Sequence, residues 1–214
     1  MWANTVIGGD IVDLEPDTPL RVLGIAGSLR TGSYNRALLR AAQELAPAGM
    51  SIETFDITPI PLYNADVQVQ GFPEPVVAFK EAIRRADALL LATPEYNHSI
   101  PGVLKNAIDW ASRPADESPL DGKPVAIVGA STGRMGTVRA QMHLRQVCVY
   151  TNMLAVNKPQ VLVMRAREKF DKDGRLVDET SRRFLRELLE ALAEWILRLR
   201  TIEGSVFSLG QEWA

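Results

Sequence analysis

Val22-Leu23-Gly24-Ile25-Ala26, then Gly27-Ser28-Leu29-Arg30-Thr31-Gly32-Ser33-Tyr34-Asn35-Arg36, then Ala37-Leu38-Leu39-Arg40-Ala41-Ala42 follow one another without a break. The first run is apolar and short, as a buried strand is. The last has helical spacing, with Ala37, Leu38, Ala41, Ala42 and Leu45 on one face. Between them lies a loop of glycine and hydroxyl residues. Such a loop at a helix N-terminus offers unpaired backbone N–H groups and the positive end of a helix dipole, a combination that suits an anion. A phosphate is the expected occupant. Ser33 or Asn35 would also serve as an ordinary helix cap with no ligand present, so the rest of the chain must decide.

Working outward, the same alternation recurs. Strands are expected at 21–27, 51–55, 88–92 and 124–129, and an interrupted last strand at 153–163. Helices are expected at 33–46, 75–86, about 137–149 and about 178–200, with a further helical face at Val103, Leu104, Ala107, Ile108 and Ala111. Ser99 is expected to cap the helix that carries Val103 and Leu104, with Pro101 in its first turn. Residues 57–75, with Pro59, Pro61, Gly71, Pro73 and Pro75, read as one long loop. Ala88-Leu89-Leu90-Leu91-Ala92 is apolar throughout, as a parallel strand buried on both faces is. The pattern implies an α/β chain: a doubly wound parallel sheet of five strands between two helical layers. We expect an N-terminal arm at 1–19, a single domain at 20–202 and a C-terminal tail at 203–214.

Composition narrows the function classes. The 214 residues carry 24 Lys and Arg against 26 Asp and Glu, a net charge of −2, which gives no electrostatic footprint for nucleic acid. Cys148 is the only cysteine, so neither an intrachain disulfide nor a cysteine metal cluster is possible. Two histidines leave little for a zinc site. No apolar run approaches the ~18 residues of a membrane span. The N-terminus has no basic region of a signal peptide, so a cytoplasmic protein is expected.

Three loops share one edge of such a sheet because each follows a parallel strand: 27–35, 93–100 and 130–136. The second, Pro94-Glu95-Tyr96-Asn97, suits a flat polar ring. The third, with Ser131, Thr132 and Gly133, lets backbone approach a ring closely. A phosphate plus a planar heterocycle suggests a mononucleotide. The first loop is neither a Walker A sequence nor a G-x-G-x-x-G fingerprint.

At these residues the chain resembles the NAD(P)H-dependent FMN reductases of flavodoxin-like fold, which include bacterial quinone, azo-dye and chromate reductases. The resemblance rests on Gly27-Ser28-Leu29-Arg30 with Ser33 and Asn35, on Pro94 through Gly102, on Leu104-Lys105-Asn106-Ala107-Ile108-Asp109-Trp110, and on Gly129-Ala130-Ser131. It implies that Ser28, Arg30, Ser33 and Asn35 hold the FMN phosphate, with Tyr34 alongside. Pro94, Glu95, Tyr96 and Asn97 would line the isoalloxazine, and Ser131, Thr132 and Gly133 would close its other side. It further implies NADPH or NADH as co-substrate, ping-pong hydride transfer to a quinone, azo compound, flavin or metal oxyanion, and a homodimer or homotetramer. The cofactor carries the chemistry, so no catalytic side chain and no metal are expected. The alternatives are a flavodoxin-type electron carrier without NAD(P)H turnover, or a scaffold that keeps the fold without the flavin. Cys148 is expected to be buried, Lys105 and Asp109 to pair on one helix, and Trp110 to pack.

Overall fold

The computed structural model describes residues 19–211, with side chains described through residue 201. The expected N-terminal arm, apart from Pro19, lies outside the described residues. Four strands follow the expected order: β1 (Leu20–Ala26), β2 (Met50–Phe55), β3 (Ala88–Ala92) and β4 (Pro124–Ala130). The fifth sheet position is filled by two short pieces, β5 (Leu154–Ala155) and β6 (Val161–Val163), which both pair with β4. Asn157-Lys158-Pro159 separates them, and Pro159 has no N–H to offer a ladder. All pairings are parallel and the order is β2-β1-β3-β4-β5. This is the flavodoxin-like order.

The helices are α1 (Tyr34–Leu45), α2 (Ala65–Gln70), α3 (Glu74–Arg85), α4 (Gly102–Ala111), α5 (Val138–Tyr150), α6 (Ala166–Lys169) and α7 (Glu179–Gln211). Successive strand residues point to opposite faces, so each strand feeds two cores. Val22, Leu90, Ala126 and Val128 join Leu38 and Ala42 of α1 and Leu185, Leu188, Leu189 and Leu192 of α7. Leu23, Ile25, Leu89, Leu91, Val125 and Ile127 join Phe79 and Ile83 of α3, Leu104 and Ile108 of α4 and Leu144 of α5. Three layers result. The chain winds first to one side of β1 and then to the other, so the topological switch lies between β1 and β3, where doubly wound sheets bind ligands.

Two expectations are corrected. Residues 57–75 are not one loop, because α2 lies inside them. Asn64 caps it by accepting from the Asp66 N–H, and Gly71 follows it with φ +126°. Six residues with none buried leave no apolar period to read. A 3-10 turn also occupies Ala115–Glu117. The last helix does not end near Arg200 but continues to Gln211, so most of the expected tail is helical. Gly204 and Gly210 lower helix propensity there without ending it.

Asp178 starts α7. Its carboxylate accepts from the Ser181 N–H at 2.9 Å and the Ser181 hydroxyl at 2.7 Å, and it pairs with Lys169. The Lys169 ammonium first, and then Ser181, hold its carboxyl below the usual carboxylate range. A carboxyl depressed on folding stabilises the folded state above its unfolded value, and the gain is lost as pH falls through the lower folded value. Replacing Asp178 with Ala is therefore expected to cost about 1 kcal/mol at neutral pH and to flatten the acid limb of a plot of stability against pH. Urea unfolding between pH 3 and pH 7 measures this. Identical acid limbs in both proteins would refute it.

Candidate functional site

The three loops come together at the C-terminal edge of the sheet. Loop one leaves β1 at Gly27, whose N–H donates to Ala92 O at 2.9 Å. Ser28 is buried and its Oγ lies 3.4 Å from the Tyr96 hydroxyl of loop two. Ser33 caps α1, with its Oγ accepting from the Asn35 N–H at 3.2 Å. Arg36, which sequence reasoning did not single out, reaches back: its Nε donates to Ser28 O at 3.1 Å while its Nη2 pairs with Asp56 at 3.2 Å. Among the described residues no protein acceptor meets the backbone N–H groups of Leu29, Arg30, Thr31 or Gly32. Arg30 is exposed and pairs with no carboxylate among the described residues. Nothing lies within 4 Å of a Cβ built on Gly32. A row of free N–H donors, a free guanidinium and a helix N-terminus are the donor set a phosphate monoester requires.

Asn35 sits differently from expectation. Its buried amide is directed at β4, donating from Nδ2 to Ala130 O at 3.0 Å and accepting at Oδ1 from Ala130 N at 2.9 Å. It therefore fastens loop one to loop three. Tyr34, beside it, stacks obliquely on Phe170, with ring centroids 5.1 Å apart.

Loop two is compact. Pro94 is buried, and Tyr96 and Ser99 exchange backbone hydrogen bonds of 3.0 Å each around Asn97 and His98, both left-handed with φ +50° and +62°. Tyr96 is half exposed. Ser99 does not cap α4; Pro101 holds that position without a side-chain bond, and Ser99 Oγ lies 3.0 Å from His143 Nδ1 on α5. The Glu95 carboxylate is also directed at α5, accepting from the N–H groups of Arg139 and Ala140.

Loop three is stitched to the end of β6. Ser131 N–H donates to Val163 O, Ala166 N–H donates to Ser131 O and Arg165 N–H donates to Gly133 O, at 2.9–3.0 Å. Gly133 N–H donates to Ser131 Oγ at 3.2 Å, while Thr132 and Gly133 are exposed. Two glycines make this packing possible. A Cβ on Gly129 would lie 1.9 Å from Thr137 Oγ1 and 2.6 Å from Thr93 O. Gly136 has φ +55°, and its Cβ would lie 2.9 Å from the Leu162 carbonyl carbon.

Away from this edge, Lys105 and Asp109 pair at 2.8 Å as their spacing implies. Cys148 is buried, and burial pushes its thiol up to about 11, which removes it as a nucleophile. Among the described residues no group of three His, Cys, Asp or Glu side chains could hold a metal, and no helix is long and apolar enough to cross a membrane.

The chain is similar to known proteins. A family model described as NADPH-dependent FMN reductase matches residues 20–168. An NAD(P)H-dependent FMN reductase of Pseudomonas aeruginosa is 58% identical over 181 residues, spanning 85% of this chain and 97% of that protein. A 2-hydroxy-1,4-benzoquinone reductase of a Burkholderia species is 44% identical over 177 residues, spanning 83% and 96% of the two chains. Among solved structures, the flavoenzyme NAD(P)H:(acceptor) oxidoreductase of Paracoccus denitrificans superposes with a TM-score of 0.77 at 35% identity, covering 84% of this chain and 98% of that one.

Proposed function

The chain belongs to the NADPH-dependent FMN reductase family, an oxidoreductase family with FMN as cofactor and NAD(P)H as co-substrate, and from that premise we propose that it reduces quinone-type acceptors with NAD(P)H at the edge where β1 and β3 diverge. The observation that carries the reading is the row of unpaired N–H groups at 29–32 beside Arg30 and the α1 N-terminus, with loops two and three at the same sheet edge. FMN, when bound, would supply the redox chemistry between nicotinamide and acceptor, and the proposed order is ping-pong. The chain's own work is binding and orientation. The backbone N–H groups of 29–32 and Arg30 would take the phosphate, with Ser28 and Ser33 beside them. Pro94, Glu95, Tyr96 and Asn97 would line the isoalloxazine through their backbone and the Tyr96 ring, and Ser131, Thr132 and Gly133 would close the far side. Ser28 joins phosphate loop to ring loop through Tyr96.

Azo compounds, free flavins and metal oxyanions belong to the same proposed acceptor class, and the names of the relatives favour a quinone first. A homodimer or a dimer of dimers is part of the proposal. The α4–α5 face is available for it, with Val149 and Tyr150 almost fully exposed. The reading is tested by purifying the protein, identifying any bound flavin and comparing NADPH and NADH oxidation over a panel of acceptors. A preparation that takes up no FMN sinks it.

Arg30→Ala is expected to weaken FMN binding about ten- to a hundredfold, the scale of one charge-assisted phosphate contact. Lysine at the same position should recover only part, because it lacks the planar fork. Titration of flavin fluorescence measures this. Full affinity in both Arg30→Ala and Ser28→Ala would refute the phosphate assignment.

A further inference from the structure

Resting on the reading of 94–97 as the ring-facing loop, we propose that Glu95 is a positioning residue whose carboxylate tethers that loop to the N-terminus of α5. Thr137 precedes α5 in a left-handed conformation, φ +70°, and makes no side-chain cap. The first N–H groups of a helix have no partner within it, and here the preceding turn meets only the first, Val138 N–H donating to Met135 O at 3.1 Å. Glu95 supplies the next two from far along the chain. Its Oε2 accepts from Arg139 N at 3.0 Å and Ala140 N at 3.2 Å, and its Oε1 lies 3.6 Å from the Arg139 guanidinium. The side chain is only 12% exposed. Helix N–H groups and the helix dipole thus satisfy a charge largely withdrawn from water.

The consequence falls on the backbone. Asn97 and His98 occupy left-handed conformations that cost side-chain-bearing residues energy. That turn stays in place because both its ends are fastened to α5: Glu95 at the start, and Ser99 through His143 at the finish. The Glu95 carboxylate cannot turn toward a bound ring without stranding two helix N–H groups. It fixes where the peptides of Pro94 through Asn97 lie.

The test uses Glu95→Ala, Glu95→Gln and, as a control in the edge strand β2, Ile52→Val. Amide hydrogen exchange at Tyr96, Ser99, Arg139 and Ala140 is read on the protein without FMN. Affinity is then read by FMN fluorescence titration. Glu95→Ala is expected to speed exchange at these four amides and to weaken FMN binding about tenfold. Glu95→Gln keeps an acceptor oxygen and should return the affinity to within about threefold of wild type. Ile52→Val should lower the melting temperature and leave FMN affinity alone. Unchanged exchange and affinity in Glu95→Ala, or equal loss in Glu95→Gln, overturns the proposal. Wild-type protein that binds no FMN overturns the flavin reading and the positioning role with it. Faster exchange in Glu95→Ala would then still report the tether by itself.

Discussion

Asn35→Ala is expected to lower the unfolding free energy by about 2–5 kcal/mol, even in protein free of FMN. The Ala130 N–H and C=O are buried and each meets the Asn35 amide. Truncation strands both, at about 1–3 kcal/mol each. Aspartate should not rescue, because a carboxylate cannot donate to Ala130 O and its charge would be buried. FMN affinity should fall as well, since loops one and three lose their link. Urea unfolding of the FMN-free protein separates this role from direct phosphate binding. If Asn35 served the phosphate alone, the free protein would unfold as wild type does.

Trp110→Ala is expected to cost about 3–5 kcal/mol, the range for removing a buried large aromatic side chain. Trp110 is fully buried, packs edge-on against Tyr63 and Phe72 at 5.0 and 6.0 Å, and donates from Nε1 to Pro61 O at 2.8 Å. It pins the 57–73 segment to α4. Asn106 helps, donating to Pro61 O and accepting from Tyr63 N–H. Phenylalanine at this position keeps most of the packing and loses the hydrogen bond, so a loss of about 1 kcal/mol is expected. Chemical denaturation measures both, and limited proteolysis should cut first within 57–73 in the alanine variant. Wild-type stability in Trp110→Ala would show that the segment holds without it.

The apolar run at 88–92 and the leucine stripe of α7 were legible because burial on a strand or one helix face imposes a period on the residues themselves. The loops at 27–35, 93–100 and 130–136 were legible as neighbours because parallel strands send every following loop to one edge. The cap at Ser33 was legible because its partner is two residues away. The short helix at 65–70 was not, being capped by Asn64 and exposed along its length. The continuation of α7 past Arg200 was not, because the apolar stripe was legible only to Leu199.

Asn35, Glu95 and Ser99 show the remaining limit. Each is a polar residue in a loop, and its residue type allows a ligand contact, a cap or a long-range bond equally well. Their partners are Ala130, the α5 N-terminus and His143, 95, 44 and 44 residues away. By itself the sequence determined the layers, the edge that carries the site and the family likeness, since periodicity and short motifs are local. Which side chains face a ligand and which fasten one loop to another was decided only by the tertiary structure, because a hydrogen bond depends on direction and distance between groups that folding brings together.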